Sequence, residues 1–180
     1  INTPNSILLN NLKNCSNNPF DCFEKKFGYK PNLFMKPCED GSSIDIFKIS
    51  NDEDYKKAKL NCLNLEREFI FEEEIGGREF TVTIIGNQCY PAIEIKTQND
   101  FYDYDAKYIS DDTILDQAKL SDDELNIIND IALRAFCALK CSGWARVDII
   151  QDINGNFNVI EINTVPVSYT HLRAHETNSH

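Results

Sequence analysis

Hydrophobic and polar positions along this chain predict short β-strands grouped around two clear helices. Runs of β-branched and aromatic residues bounded by Gly, Pro, Asn and Asp are typical of strands. Five such runs are NLFMK from residue 32, IDIFKI from residue 44, EFIFEEEI from residue 68, EFTVTIIG from residue 79 and CYPAIEI from residue 89. Turn-forming residues separate the later runs, with GGR between the third and fourth and NQ between the fourth and fifth.

Two helices are predicted by capping residues that precede apolar positions at helical spacing. Ser50 and Glu53 fit a capping box for a helix over about 51–65. Ser121 and Glu124 fit a second capping box. The apolar stripe that follows it consists of Leu125, Ile128, Ala132, Ala135, Phe136 and Leu139, and it ends before Gly143.

The order of the elements indicates an α+β fold of two subdomains that meet near residue 66. Residues 1–66 would hold connecting structure with a short helix near residues 20–27, then two strands and a helix. Residues 67–166 would hold three strands, a helix and a final pair of strands. The polar, aperiodic tail at residues 167–180 looks like non-native read-through and is expected to lie outside the fold.

The run RVDIIQDINGNFNVIEINTVP, residues 146–166, places four polar side chains in two stretches otherwise rich in Val, Ile and Phe. Its Asn154-Gly155 pair favours a type I′ two-residue turn, so the run predicts a β-hairpin. With that turn Ile153 faces Asn156, and every other pairing follows by counting outward.

The polar face of this hairpin is the strongest candidate site in the sequence. The predicted register places Asp148 opposite Glu161, and it places Arg146 opposite Asn163 on the same face. The core side would carry Val147, Ile149, Ile160 and Ile162. Opposed carboxylates are destabilising unless a cation compensates them. Carboxylate and amide oxygens suit Mg²⁺, Mn²⁺ or Ca²⁺ better than zinc. The alternative is a hairpin with one solvated polar face.

Composition and charge narrow the expected partners. The chain has 180 residues and a formal net charge of −11. No basic run could neutralise successive phosphates, so nucleic acid and anionic membranes are not expected as partners. The seven cysteines contain no Cys-x-x-Cys and no histidine lies near them, which indicates reduced cytosolic thiols rather than disulfides or zinc. No apolar run has the length that spans a bilayer. A cytoplasmic protein with a small-molecule ligand is therefore expected.

Two further segments suit a phosphorylated ligand. Lys36 ends a strand and the tip Gly41-Ser42-Ser43 follows, so the two could close over phosphates. Glu72 and Glu79 flank the GGR turn, where carboxylates could accept hydrogen bonds from ribose hydroxyls or an adenine amine. Each signal alone is also explained by an ordinary turn or by a solvated acidic edge.

The segment FYDYDAKY, residues 101–108, concentrates aromatic side chains in a predicted loop. Its Tyr102, Tyr104, Tyr108 and Lys107 could orient a carboxylate or a phosphate, and loops often carry such functional residues. The alternative is a loop that its rings pack onto the sheet.

Five motifs in one order bring these signals together. KPCEDGSS, EEEIGGREFTV, FYDYDAKY, GWARVDI and IEINTVP, from about residue 32 to 166, closely resemble the central and C-terminal parts of D-alanine–D-alanine ligases, members of the ATP-grasp superfamily. The resemblance implies two α+β subdomains with mainly antiparallel sheets that enclose the nucleotide. It implies that ATP phosphorylates the carboxylate of one D-alanine and that the amine of a second D-alanine attacks the acyl phosphate.

The resemblance also implies roles for individual residues. The nucleotide contacts would be Lys36 and Lys107 at the phosphates, Glu72 at adenine, Glu79 at ribose, and Tyr102. The Mg²⁺ or Mn²⁺ ligands would be Asp148, Glu161 and Asn163, in agreement with the hairpin register. Arg146 would stabilise the oxyanion of the tetrahedral intermediate. Ser42 and Ser43 would cover the acyl phosphate, and Tyr108 would join them around the second substrate.

The chain also departs from the family pattern. Ile44-Asp45 replaces the usual Val-Gly after Gly-Ser-Ser, which places a charge beside the phosphate lid. Glu73 stands where a lysine near adenine is common, which would crowd three acids together. The amino-terminal domain of the family is absent, the chain begins with Ile1 rather than Met, and the match stops after Pro166. A fragment with little or no ligase activity alone is expected, although complete family members are commonly homodimers.

Three alternatives stay open on the sequence alone. Another ATP-grasp carboxylate–amine ligase could use D-lactate, D-serine or an L-amino acid. Asp45, Glu73 and the acidic surface would suit a nucleotide-binding pseudo-ligase with a regulatory role. A purely structural β-rich domain would require all five motifs to coincide by chance.

Overall fold

The computed structural model describes residues 1–39, 45–96 and 114–164, and it divides the chain into two compact units. The amino-terminal unit comprises Thr3–Gly76. The carboxyl-terminal unit comprises Ile1–Asn2, Gly77–Lys96 and the described residues from Leu115 onward. Both units combine helices with antiparallel strands, so the expected α+β fold is confirmed.

The amino-terminal unit is a four-stranded antiparallel sheet packed against two helices. Its strands are β1 (Ser6–Asn10), β2 (Leu33–Pro37), β3 (Phe47–Ile49) and β4 (Glu68–Glu73), in the spatial order β1-β4-β2-β3. Its helices are α1 (Pro19–Phe27) and α2 (Asp52–Asn61). The core joins one face of the sheet to both helices through Leu33, Met35, Phe69, Phe71, Phe23 and Tyr55.

The position of β4 explains where the chain passes from one unit to the other. β4 lies between β1 and β2, so that Glu72 faces Ser6 on one side and Phe34 on the other. The whole strand therefore belongs to the amino-terminal unit, and the division falls between Gly76 and Gly77 rather than near residue 66. Local sequence patterns do not predict the pairing of β4 with β1, because the two strands are far apart along the chain.

Helix α2 differs from its predicted limits at both ends. Its N-cap is Asn51, whose side chain accepts hydrogen bonds from the backbone N–H groups of Glu53 at 2.9 Å and Asp54 at 3.0 Å. The predicted capping box that started at Ser50 is wrong because the adjacent Asn51 is an equally good cap. The helix ends at Asn61, several residues before its predicted end.

The predicted strand from residue 44 is also shorter than expected, since β3 begins at Phe47. Asp45 has a left-handed backbone with φ of 56°, which a strand does not allow. The run CYPAIEI forms two short strands instead of one, because Pro91 lacks the N–H group that a ladder needs.

The carboxyl-terminal unit is a six-stranded sheet with one long helix on one face. Its strands are β5 (Gly77–Ile85), β6 (Gln88–Cys89), β7 (Ile93–Lys96), β8 (Ile114–Gln117), β9 (Trp144–Asp152) and β10 (Phe157–Asn163). The main order is β10-β9-β5-β7-β8, with β6 paired to β5. Helix α3 (Asp122–Ala138) begins at the predicted capping box of Ser121 and Glu124.

Helix α3 covers the apolar face of this sheet. The core contains Ile128, Ala132, Ala135 and Phe136 from the helix, with Phe80, Val82, Ile84, Val147 and Ile149 from β5 and β9. Four members of the predicted stripe are confirmed as core residues, whereas Leu125 is only half-buried and Leu139 caps the helix and is 65% exposed. Each fully buried aliphatic or aromatic side chain contributes about 1.5–3 kcal/mol.

The hairpin of β9 and β10 forms as predicted, but its turn is different. The Asp152 N–H donates to the Asn156 carbonyl at 2.9 Å, and the Gly155 N–H donates to the Asp152 carbonyl at 3.0 Å. Three residues therefore form the loop, and Ile153 does not face Asn156. Gly155 has a φ of 84° whereas Asn154 has no positive φ. This is a type I turn followed by a left-handed glycine, not the predicted type I′ turn.

A β-bulge at Ile160 restores the predicted register further along the hairpin. Ile149 lies opposite Val159 and Asp148 lies opposite Glu161, which leaves Ile160 as the extra residue. The bulge directs Val159 into the core and Glu161 to the opposite face, so the predicted core position of Ile160 is wrong. Both predicted polar pairings are nevertheless confirmed, because the longer loop and the bulge each shift the register by one residue.

The seven cysteines all lie among the described residues and are free thiols. Partial burial raises the pKa of the thiols of Cys62 and Cys89, which lowers their reactivity near neutral pH. Within the described ranges, no helix is long and apolar enough to cross a membrane.

Candidate active site

One face of the carboxyl-terminal sheet gathers polar residues from three adjacent strands, and we call it the site face. Six of these residues form the candidate site: Glu79 and Thr81 on β5, Arg146 and Asp148 on β9, and Glu161 and Asn163 on β10. Side chains alternate along each strand, so these residues point away from the face that α3 covers. Five of the six were predicted site residues, and the fold brings these five together on one surface.

Asp148 is at the centre of the site face and is only 8% exposed. The Arg146 guanidinium donates two hydrogen bonds to it, from Nε to Oδ1 and from Nη2 to Oδ2, each at 2.9 Å. Thr81 Oγ1 donates to Oδ1 at 2.7 Å, and Asn163 Nδ2 donates to Oδ2 at 3.0 Å. Donors from three strands thus fix the orientation of this carboxylate.

The strand register produces this arrangement directly. Thr81 is the cross-strand neighbour of Asp148 on one side and Glu161 is its neighbour on the other. Arg146 lies two residues before Asp148 on the same strand face, which brings its guanidinium alongside the carboxylate. Glu161 is exposed, so the two opposed acids differ in environment, one enclosed by donors and the other open to solvent.

Arg146 partly supplies the compensating cation that opposed carboxylates require. The remaining donor chemistry fits a hard divalent cation, because Asp148, Glu161 and the Asn163 amide offer oxygen ligands. Among the residues that the structure describes, no three carboxylate, imidazole or thiol groups cluster closely enough to hold a metal. A cation here would need additional oxygens, and Mg²⁺ commonly takes these from water and substrate phosphates.

The amino-terminal unit carries two other predicted site residues on the outer face of its sheet. Lys36 forms an ion pair with Glu72, and their side chains are 21% and 12% exposed. The Lys36 ammonium also lies 5.5 Å from the centroid of the Phe34 ring. The two charged groups therefore neutralise each other on this face of the sheet.

The three consecutive acids Glu72, Glu73 and Glu74, at the end of β4 and directly after it, do not crowd together as the sequence suggested. Glu73 points to the opposite face of the sheet from its neighbours. Its carboxylate accepts hydrogen bonds from the Asn5 N–H at 2.7 Å and from the Tyr29 hydroxyl. Glu72 pairs with Lys36, and Glu74 pairs with Lys48 at 2.8 Å. Alternation along the strand and these partners separate the charges.

Comparison with known proteins identifies the family. A family model described as D-ala D-ala ligase C-terminus matches residues 3–173. The chain belongs to this family. The match begins well before the motif at residue 32 and continues past residue 167, so it is longer than the five motifs indicated.

Curated relatives of the chain are D-alanine–D-alanine ligases. The ligase of Mannheimia succiniciproducens is 38% identical over 140 residues, which are 77% of this chain and 46% of that protein. The ligase of Saccharophagus degradans is 42% identical over 134 residues, which are 74% of this chain and 43% of that protein. The chain thus spans about half the length of the curated relatives it matches.

Solved structures show the same relationship. A D-alanine–D-alanine ligase from Bacillus anthracis has a TM-score of 0.74 at 32% identity and covers 92% of this chain and 52% of that chain. A structure of a D-alanine–D-alanine ligase from Bacillus anthracis complexed with ATP has a TM-score of 0.71 at 26% identity, and the match covers 92% of this chain and 50% of that chain. VanG D-Ala:D-Ser ligase from Enterococcus faecalis has a TM-score of 0.74 at 26% identity, with 92% and 48% covered. These neighbours establish the ATP-grasp fold of this ligase family member.

The departure of this chain from the ligase pattern at Asp45 is accommodated inside the fold. Asp45 occupies the position of the usual glycine and has the left-handed φ of 56° that glycine favours. Its side chain is 6% exposed and forms an ion pair with Arg67. It also accepts a hydrogen bond from the Leu63 N–H at 3.1 Å. The charge of Asp45 is therefore paired with Arg67, and the lid tip Gly41-Ser42-Ser43 beside which it was expected lies outside the described residues.

Some expected ligase residues lie outside the described residues. They are Ser42, Ser43, Tyr102, Lys107 and Tyr108. Their roles stay predictions from the resemblance. Glu72 and Glu79, which the sequence placed across one turn, belong to different sheets.

Thr81 is the member of the candidate site that the sequence did not indicate. Its importance depends on the pairing of β5 with β9, two strands separated by a long stretch of chain. The available signal was its spacing, since Thr81 follows Glu79 by two residues and therefore shares its face.

Proposed function

We propose that this chain forms the nucleotide-binding and metal-binding part of a D-alanine–D-alanine ligase. In that reaction ATP phosphorylates the carboxylate of one D-alanine. The amine of a second D-alanine then attacks the acyl phosphate, which gives D-alanyl-D-alanine, ADP and phosphate for peptidoglycan precursor synthesis. The Asp148 cluster on the site face carries this proposal, since it combines a fixed carboxylate, an oriented guanidinium and a second acid in a chain of this family.

Residues of the site face would have distinct tasks. Asp148, Glu161 and Asn163 would hold Mg²⁺ or Mn²⁺, which when bound would neutralise charge on the nucleotide phosphates. Arg146 is oriented by its two hydrogen bonds to Asp148, and its guanidinium would stabilise the oxyanion that forms when the amine attacks. Glu79 lies on the same face and would contact ribose.

The remaining roles follow the family likeness. Lys36, held by Glu72, would contact the nucleotide, and Glu72 would contact adenine. Lys107 would contact the transferred phosphoryl group and Tyr102 the nucleotide. Ser42, Ser43 and Tyr108 would enclose the acyl phosphate and the second substrate. We also place the enzyme in the cytoplasm, as a homodimer of the complete gene product.

The test is a substrate panel with the complete gene product and Mg·ATP. Phosphate release and dipeptide formation would be measured with D-alanine, L-alanine, D-alanine plus D-serine, D-alanine plus D-lactate, or no addition. We expect release that requires D-alanine and yields D-alanyl-D-alanine. ATP binding without any amino-acid-dependent release would contradict the proposal and favour a pseudo-ligase.

If the enzyme prefers a different second substrate, the proposed ligase mechanism still applies and only the acceptor of the acyl group differs. The likeness to VanG, a D-Ala:D-Ser ligase, makes D-serine the most informative alternative acceptor. Dipeptide analysis by mass spectrometry separates the two products directly, because a serine residue adds one oxygen atom to the dipeptide.

A further inference from the structure

Thr81 makes a short and specific contact with the central carboxylate of the site face. It lies directly opposite Asp148 in the pairing of β5 and β9. Its hydroxyl donates to Asp148 Oδ1 at 2.7 Å, a length typical of hydrogen bonds from hydroxyl groups to carboxylates. Asp148 is 8% exposed, so water competes weakly for this oxygen.

The other two donors to Asp148 have additional tasks in the proposed reaction. Arg146 would stabilise an oxyanion, and Asn163 would offer its amide oxygen to a cation. Thr81 comes from a third strand and has no such second task. Its β-branched side chain has restricted χ1 freedom, so the strand backbone fixes the direction of the hydroxyl.

We propose that Thr81 is a positioning residue that fixes the orientation in which Asp148 presents its carboxylate to a divalent cation. This inference rests on the proposed function, because it assumes that Asp148 is a metal ligand. Carboxylates that ligate metals are themselves held by hydrogen bonds, and loss of such a partner typically weakens metal affinity by about 10–100-fold.

Thr83 provides a matched control on the same strand and the same face. It lies two residues after Thr81 and opposite Arg146 instead of Asp148. Both threonines are half-buried. Thr→Val changes at the two positions therefore remove the same hydroxyl from the same kind of environment. Only the change at Thr81 removes a donor from Asp148.

The experiment measures Mn²⁺ binding to the complete gene product in the presence of a non-hydrolysable ATP analogue. Electron paramagnetic resonance of free Mn²⁺ would give the affinity for the wild type, Thr81→Val, Thr81→Ser, Thr83→Val and Asp148→Asn. We expect Thr81→Val to bind Mn²⁺ about 10–100-fold more weakly. Thr81→Ser retains the hydroxyl and should stay within about threefold of the wild type, and so should Thr83→Val.

Activity adds a second readout of positioning. In Thr81→Val the Mg²⁺ concentration for half-maximal activity should rise by about the same factor as the Mn²⁺ dissociation constant. The rate at saturating Mg²⁺ should then recover to within about threefold of the wild type.

The outcomes separate this inference from the proposed function. If Thr81→Val binds Mn²⁺ with wild-type affinity, whether or not the variant is less stable, the positioning role is overturned and the proposed metal site is not. An equal loss in Thr81→Ser would also overturn it, because the methyl group rather than the hydroxyl would then be responsible. Undiminished Mn²⁺ binding in Asp148→Asn, or no Mn²⁺ binding by the wild type, would overturn the metal site and the positioning role together.

Discussion

Two clusters of arginine and carboxylate lie on opposite faces of the carboxyl-terminal sheet, and both use β5 and β9. On the face covered by α3, Arg78 donates from Nε to Glu94 Oε1 at 2.8 Å and from Nη2 to Glu94 Oε2 at 3.1 Å. On the site face, Arg146 makes the equivalent two contacts with Asp148 at 2.9 Å each. The chemistry of the two pairs is almost the same, but their surroundings differ.

The partners around each pair show how the difference arises. The Arg78 pair continues through Gln151, whose Nε2 donates to Glu124 Oε1 at 2.9 Å, and Glu124 caps the start of α3. This cluster joins a helix to a sheet, so its groups are all used by the fold. The Asp148 cluster instead stands opposite Glu161, an exposed acid that can bind a cation. An arginine–carboxylate pair can thus be used by the fold, as at Arg78, or be available for chemistry, as we propose for Arg146, according to what lies on its face.

Gly77→Ala should have the largest effect, because it would damage both faces at once. A Cβ atom at Gly77 would lie 1.9 Å from the backbone oxygen of Gln151, so β5 and β9 would have to separate. We expect a loss of about 3 kcal/mol or more in the free energy of unfolding, measured by urea denaturation. The adjacent Gly76→Ala is the control, since nothing lies within 4 Å of its Cβ. A Gly77 variant as stable as the Gly76 variant would contradict the tight β5–β9 pairing.

Arg146→Met should distinguish the roles of the two faces, because we expect it to reduce activity while the protein stays folded. If the guanidinium stabilises the oxyanion, kcat for dipeptide formation should fall by about 10²–10³-fold. The free energy of unfolding should fall by only about 1 kcal/mol, the low end of the cost of removing such a partner, because Thr81 and Asn163 still donate to Asp148. Arg134→Met on α3, whose side chain is 57% exposed, is the matched control for loss of an arginine. Equal kcat values for the two variants would assign Arg146 to structure.

Arg78→Met should give the reverse result, with stability lost and activity kept. The methionine retains packing over the Phe80 ring, 4.9 Å from the Arg78 guanidinium carbon, but leaves Glu94 without its main partner. Glu94 is 8% exposed, so we expect a loss of about 1–3 kcal/mol in urea denaturation. The kcat of the folded variant should stay near the wild-type value. A large fall in kcat without loss of stability would contradict the assignment of the Arg78 cluster to structure and of the site face to activity.

Glu124→Gln should have the smallest effect, visible only as a change in acid stability. Hydrogen bonds from the Ser121 backbone, the Gln151 amide and the Ser121 hydroxyl lower the pKa of Glu124 from 4.5 to about 2. A carboxyl with a lowered pKa in the folded state stabilises the fold above its unfolded pKa, and this contribution is lost as the pH falls from about 4.5 to about 2. The urea midpoint of Glu124→Gln should therefore depend less steeply on pH in that range. Asp123→Asn, an exposed neighbour, is the control, and equal slopes in the two variants would contradict the effect.

Much of the fold and five of the six residues of the candidate site were predicted from the sequence. The α3 capping box and stripe were predicted because they depend on residues within one or two helical turns. The pairings of Asp148 with Glu161 and of Arg146 with Asn163 were predicted correctly through two errors that cancelled, a longer loop and the bulge at Ile160. A correctly predicted strand register therefore does not show that the turn used to predict it was also correct.

Long-range pairing accounts for what the sequence did not indicate. The contact of Thr81 with Asp148 requires β5 to lie beside β9, and the place of β4 in the amino-terminal sheet requires β1 to lie beside it. Local hydrophobic periodicity specifies which residues share a face but not which strands become neighbours. The partner of Asp45 is a further example, because the sequence shows its charge but not Arg67 beside it.

The most direct test of the account is D-alanine-dependent phosphate release by the complete gene product and its Asp148→Asn variant, at saturating ATP and Mg²⁺. Asn keeps the size of the side chain and removes the charge that would bind the cation. We predict release that depends on D-alanine in the wild type and falls at least about 100-fold in the variant, with the ordered fold retained by circular dichroism. A folded variant that releases phosphate at the wild-type rate would contradict the assignment of the Asp148 cluster as the catalytic centre.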